Sequence, residues 1–302
     1  MKNHFKKLLL MALMAVMAVG LIACGTDKSD NESTKEEKTS VTITSLDSSK
    51  NEIELEVPYN PKRIAILDLA SLDIIDELGV GDRVVGMAST SIDYLEKYSN
   101  DASIKNLGTI KEADLEAVME CEPDIIFIGG RLSKSYDALS EIAPVVYLAT
   151  DTNEGLVNSV SKNAKTIASI FGMEDKVDSL MSDFGARIDT IKKISSGKTA
   201  LVGMTTSGSF NLLGNDGRCS LIGVEAGFNN LTAAGSTSTH GNESSFETVV
   251  QQNPDYIFVM DRDSAISTAG AKNAKEIVEN ELVKTTDAYK NNHIIYLEHS
   301  NV

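Results

Sequence analysis

Residues 113–131 read ADLEAVMECEPDIIFIGGR and residues 244–262 read SSFETVVQQNPDYIFVMDR, one pattern of apolar and polar positions written twice. At a constant offset of 131, seven of 19 positions are identical without a gap: Glu116/Glu247, Val118/Val249, Pro123/Pro254, Asp124/Asp255, Ile126/Ile257, Phe127/Phe258 and Arg131/Arg262. In each copy, apolar residues at helical spacing (Leu115, Val118 and Met119; Phe246, Val249 and Val250) predict a short amphipathic helix. It must stop before Pro123 or Pro254, because the residue preceding proline avoids helical geometry. A continuous apolar run follows, residues 125–128 and 256–260, of the kind found in parallel strands buried on both faces. An Arg then falls just past each strand. Repetition of this kind implies two lobes of like architecture.

The rest of the chain alternates in the same way. Strands are expected at residues 63–67, 84–87 and 145–148, and in the second half at 200–204, 210–213 and 293–297. A helix through Leu72, Ile75 and Leu78 should end at Gly79, and further helices are expected at 221–226 and 274–282. Between the halves, residues 173–194 hold no Pro and one Gly, with Val177, Leu180, Met181, Phe184, Ile188 and Ile191 at helical spacing. One helix of ~33 Å should bridge the lobes as a stiff hinge with limited closure. The expected fold class is α/β, two Rossmann-like lobes joined by a single long helix. The lobes span residues 41–172 and 196–302, with the bridge at 173–195.

The N-terminus stands apart. Lys2, Lys6 and Lys7 precede an uncharged run from Leu8 to Ala23, short for a membrane span and suited to a signal core over residues 1–23. Leu21-Ile22-Ala23-Cys24 has the form of a lipobox, making Cys24 the expected lipidation site; the alternative is an uncleaved anchor. Residues 24–40 carry no large apolar side chain and should form a flexible tether.

Charge narrows the partners. Without the three Lys of the signal, 25 basic residues face 44 acidic ones, a net charge of −19. So acidic a body argues against nucleic acid or an anionic membrane surface as partner. Cys121 and Cys219, one in each half, suit structural positions, with a disulfide between them left open. His4, His240, His293 and His299 never pair at ligand spacing, and His4 belongs to the signal, which speaks against a three-His metal cage.

In open α/β sheets the ligand lies beyond the C-terminal ends of the strands. The repeat puts Arg131 and Arg262 there in both lobes, and Arg218 follows a Gly-rich turn at residues 214–217. Three of the six Arg residues thus fall near one presumed cleft. Each could instead pair with a local carboxylate, since Asp216 neighbours Arg218 and Asp261 and Asp263 flank Arg262. If they face a cleft, planar, permanently charged guanidiniums suit an anion carrying aromatic rings, such as a ferric tris-catecholate of charge −3.

The lipobox, the NPDYIFVMDR segment, the stretch at residues 238–241 and the helix-bridged halves resemble the siderophore-binding lipoproteins of iron ABC importers, of the petrobactin- and enterobactin-binding type. The resemblance covers nearly all of residues 41–302 and implies a class III substrate-binding protein with a shallow cleft. It implies that Arg131, Arg218 and Arg262 form a basic triad around an iron–catecholate core. It also implies that His240 can complete the iron shell when the siderophore supplies only four oxygens. Glu116 and Glu247 match the carboxylates that dock into Arg pockets of a membrane permease, which works with its ATPase. The protein would be a monomer without an intrinsic cofactor, held by lipid on the outer face of a Gram-positive cell membrane. Relatives continue after the last strand into a segment with a Tyr beside the iron and a C-terminal helix. Val302 falls where that segment would begin, so the sequence is expected to be a fragment.

Two other readings stay open here. On the same fold, a heme, cobalamin or hydroxamate-siderophore receptor is the alternative, although Trp is absent and neutral ligands give little reason for three Arg. An enzyme is disfavoured because no nucleophile elbow, phosphate loop or dinucleotide fingerprint appears. A structural surface protein finds no support beyond the twofold repeat.

Overall fold

The computed structural model describes residues 38–151, 155–233, 237–238, 240–265 and 273–297. The signal, Cys24 and the tether up to residue 37 lie outside the described residues, as does the stretch 298–302. Among the described residues, no helix is long and apolar enough to cross a membrane.

The described chain opens on a hairpin that the pattern reading had not singled out. β1 (Ser40–Leu46) pairs antiparallel with β2 (Glu52–Pro58) along its whole length. Alternation puts Ile43 and Val57 into the core and Thr and Glu toward water. Buried Ser45 ties the hairpin to the first lobe, its Oγ accepting from Tyr147 N at 2.9 Å.

The first lobe is built on β3 (Ile64–Ile66), β4 (Val84–Met87), β5 (Lys105–Asn106), β8 (Ile125–Ile128) and β9 (Val145–Tyr147). These five form a parallel sheet in the order β5-β4-β3-β8-β9. A separate two-residue ladder joins β6 (Gly108–Thr109) to β7 (Glu112–Ala113). Every residue of β3, β8 and β9 is buried, and successive residues feed opposite cores: Ile64 and Ile66 one, Ala65 and Leu67 the other.

The second sheet holds β10 (Thr199–Thr206), β11 (Ser209–Leu212), β12 (Asn229–Asn230), β13 (Asn242–Glu243), β14 (Tyr256–Asp261) and β15 (Ile294–Leu297). Its order is β13-β11-β10-β14-β15, with β12 also beside β10. The trio β10-β14-β15 is parallel, as is β3-β8-β9, while β11 and β13 run antiparallel.

The repeat has a physical content that both lobes share. α2 (Leu115–Glu120) and α6 (Phe246–Gln252) are capped by Asp114 and Ser245, whose side chains accept from Ala117 N and Thr248 N. Ahead of each proline the chain turns through a left-handed residue, Glu122 at φ 44° and Asn253 at φ 41°. Asp124 Oδ2 then accepts from Lys62 N at 2.7 Å and Arg63 N at 2.9 Å, and Asp255 Oδ2 accepts from Thr199 N and Thr199 Oγ1, both at 2.9 Å. Each aspartate thereby aligns the entry of its own strand with that of the neighbouring one.

α4 (Glu174–Ser195) is the long helix expected at 173–194. Glu174 and Asp175 open it and Lys192 and Lys193 close it, matching the helix dipole. Ser195 Oγ fixes its far end by donating to Ala226 O at 2.5 Å. A second helix, α3 (Leu156–Phe171), precedes it; Gly172, at φ 67°, reverses the chain between them. α3 packs along α1 (Leu69–Glu77), β1 and α4. Two other helices are shorter than read. α5 (Ser220–Gly223) replaces 221–226, and α7 (Ala274–Val278) ends before Asn280, whose Oδ1 accepts from Leu282 N and Val283 N and starts a 3-10 turn.

Candidate functional site

Leu67 ends the run of β3, and Asp68 caps α1, its Oδ2 accepting from Ser71 N at 2.9 Å and Ser71 Oγ at 2.8 Å. Opposite it, β8 runs out into Gly129-Gly130-Arg131. A Cβ on Gly129 would lie 2.5 Å from Asp68 Oδ1, so only glycine lets the two strand ends approach. Two adjoining depressions of about 210 and 260 Å³ open on this ground, both lined by Asp68, Ala70, Gly129 and Gly130. The first extends to Ile110 and Arg131, the second to Leu148, Ala149, Thr150 and Asn163. Larger is an apolar groove of about 520 Å³ between α1 and α4, but it faces none of these strand ends and holds none of the expected residues.

Arg131 is exposed and has no hydrogen-bond or ion-pair partner among the described residues. Arg262 holds the equivalent place after β14, half-buried, its Nη1 donating to Thr206 Oγ1 at 3.0 Å. The carboxylates beside it are engaged elsewhere. Asp263 is buried and accepts from Ser207 N and Gly208 N at the β10–β11 turn. Asp261 accepts from Ser264 N, Ser264 Oγ and Ala274 N. Burial pushes its pKa up, yet these hydrogen bonds outweigh that and hold it below the usual carboxylate value.

Arg218 sits differently. β11 returns antiparallel to β10, and Leu213 N donates to Val202 O at 2.8 Å, so its turn leaves the sheet alongside the middle of β10 rather than beyond its end. Gly214 is fixed there, since a Cβ would lie 2.4 Å from Thr237 Oγ1. Asp216, the local carboxylate, accepts from Thr237 N at 2.7 Å, and bonds from Thr237 hold its pKa below the usual aspartate value. Buried Asn230 braces the turn by donating to Leu213 O and Asn215 Oδ1. Next to half-buried Arg218, Cys219 adopts φ 58°, and burial pushes its thiol up to about 11. Cys121 and Cys219 are both free and buried.

His240 is exposed on the turn into β13, its carbonyl accepting from Asn211 Nδ2 at 2.9 Å. Thr239 beside it lies outside the described residues. Gly241 brings this turn against β11, where a Cβ would lie 2.8 Å from that of Asn211. Glu116 and Glu247 point outward from the first turns of α2 and α6. Backbone and Ser245 hydrogen bonds keep Glu247 below the usual glutamate value. Leu115 and Met119 flank Glu116 as exposed apolar residues. Among the described residues, no group of three or more His, Cys, Asp or Glu is placed to hold a metal ion.

The wall residues Asp68, Ala70, Gly129, Gly130, Leu148, Thr150 and Asn163 were missed by the sequence reading. A Gly-Gly directly after an apolar strand, and an Asp-x-x-Ser capping pattern at residues 68–71, were the available signals.

Residues 64–300 match the family model described as periplasmic binding protein. The petrobactin-binding protein YclQ of Bacillus subtilis is 36% identical over 303 residues, covering 97% of this chain and 91% of its own. Its crystal structure superposes with a TM-score of 0.77 at 37% identity, over 86% of this chain and 91% of that one. The periplasmic catecholate-siderophore binding protein VctP of Vibrio cholerae gives 0.76 at 30% identity, over 86% and 92%. Both relatives are named as binding proteins. The fold and these likenesses together make the chain a member of the periplasmic binding protein family, a substrate-binding protein with two lobes and a helical backbone.

Proposed function

We propose that this protein captures a ferric catecholate siderophore for an ABC importer, with Arg131, Arg218 and Arg262 as the groups that hold it. One observation carries the reading: among the described residues, no carboxylate pairs with any of the three guanidiniums, in a chain of strongly acidic composition. The ion pairs that form among the described residues use Lys. Unpaired arginines suit an anionic ligand whose rings also offer faces for stacking. YclQ and VctP, named for petrobactin and for catecholate siderophores, support the same ligand class. In this reading His240 is the side chain that would complete the shell of an iron left with open coordination positions. Glu116 and Glu247 serve as twin contacts for basic pockets on the permease, while lipid on Cys24 keeps the complex at the outer face of the membrane.

Titration of the ligand-free protein with ferric catecholate, ferric hydroxamate, heme and cobalamin, read by tyrosine fluorescence quenching, tests the reading. Arg131→Gln, Arg218→Gln and Arg262→Gln should each weaken catecholate binding by about 10- to 100-fold, the worth of a charge-assisted hydrogen bond. Unchanged affinity in all three, or preference for a neutral complex, overturns it.

A further inference from the structure

α3 (Leu156–Phe171) starts at Gly155, at φ 84° and without a capping side chain of its own. A helix of 16 residues normally takes an oxygen acceptor for its first-turn amides from the residue before it. Here the acceptor comes from the other lobe. Glu225, two residues past α5 (Ser220–Gly223), accepts from Val157 N through Oε1 at 3.1 Å. Gly155 fits under it, since a Cβ there would stand 3.1 Å from the same oxygen. Oε2 of Glu225 is buried and has no hydrogen-bond partner among the described residues. The next residue, Ala226, accepts the Ser195 Oγ bond that ends α4. One short stretch of the second lobe, residues 225–226, thus meets both the start of α3 and the finish of α4.

We propose that Glu225 is an interlobe latch: its carboxylate caps α3 from across the lobe boundary and sets the angle between the walls of the cleft. The charge is right, because a carboxylate is favoured at the positive end of a helix. The path to the wall is short. α3 carries Asn163, which lines the second depression and donates to Ala149 O at 3.0 Å in the same wall. The latch also has capacity in reserve, since Oε2 is buried without a partner among the described residues and can take a further donor. This inference concerns the ligand-free protein and does not depend on which ligand the cleft accepts.

Hydrogen exchange and small-angle scattering of the ligand-free protein test it. Glu225→Ala should speed exchange of the amides at residues 156–158 about fivefold, the usual effect of losing a cap, and broaden the distribution of lobe separations. Exchange in the middle of α4 should stay as in the parent. Glu225→Gln keeps an oxygen acceptor without the charge and should fall between the two. It decides the matter if the alanine variant does not fold. Exchange at 156–158 unchanged in the folded variants overturns the latch. So does a uniform rise across both helices, which would mark Glu225 as a general stabilising contact.

Discussion

Arg63 and Arg83 show what an arginine does in this molecule when its task is structural. Arg63 Nε donates to the Cys121 and Glu122 carbonyls at 3.1 and 2.9 Å, and Arg83 reaches Asn60 Oδ1 and Pro61 O while lying over Phe171. Among the described residues, Arg131 and Arg218 make no such bonds and Arg262 makes one, to Thr206 Oγ1. Glycine is equally specific at position 129. Gly129→Ala should drive a methyl into Asp68 and cost about 1–3 kcal/mol, the usual range for overpacking, measurable by urea unfolding. Asp73 on α1 offers a pH-dependent case. Burial raises its pKa, with help from the negative charges of Asp76 and Glu77. A carboxyl whose folded pKa exceeds its unfolded one costs stability above that window and nothing below it. Asp73→Asn should therefore raise Tm at pH 7, and the gain should vanish as pH falls below about 4, the ordinary aspartate value. Thermal melts across that range check both signs.

At the scale of elements, the repeat is a joint made twice: a capped helix, a left-handed stop, proline, and an aspartate that aligns two strands. The two joints belong to separate lobes and share no neighbour, so their energies should add. Asp124→Ala and Asp255→Ala should each cost about 1 kcal/mol, a hydrogen-bond loss reduced by solvent exposure, and the double variant about twice that. A double variant much worse than the sum in chemical denaturation would show the lobes to be coupled through these joints. α3 shows where pattern reading falls short. Its buried face relies on Ser159, Ala164 and Ala168 among Ile167, Ile170 and Phe171, so the apolar period is diluted by small residues. The hairpin of β1 and β2 escaped for a related reason. Its alternation is plain in retrospect, but nothing local fixes which sheet it docks on, and Ser45 meeting Tyr147 decides that across 102 residues.

For the molecule as a whole, charge and docking are the testable properties. An anionic complex held by exposed or half-buried guanidiniums should bind more weakly as salt rises, because such pairs are screened within ~10 Å at 0.1 M. Titrations at two ionic strengths check this, and a markedly raised affinity at high salt would contradict it. Glu116 and Glu247 are exposed on first helix turns, and neither lines the two depressions, so Glu116→Ala and Glu247→Ala test the permease contact proposed for them. If the proposed importer role holds, both should leave ligand affinity unchanged while lowering siderophore-dependent growth of the cells that carry the protein. Loss of affinity in either variant would place these carboxylates at the ligand rather than at the permease.

Local pattern was enough to determine the two-lobed α/β class, the bridging helix, read at 173–194 and found at Glu174–Ser195, and the equivalence of Arg131 with Arg262, because period and proline corners act within a few residues. Tertiary structure alone decided whether the neighbouring carboxylates are free to pair with the arginines. Asp216, Asp261 and Asp263 are near Arg218 and Arg262 in sequence, and only the fold shows them occupied by Thr237, Ser264, Ser207 and Gly208. It alone brought Gly129 against Asp68, set the Arg218 turn beside the middle of β10, and carried Glu225 to the start of a helix in the other lobe. Hydrogen bonding and close approach between distant segments have no local signature, so no periodicity could have announced them.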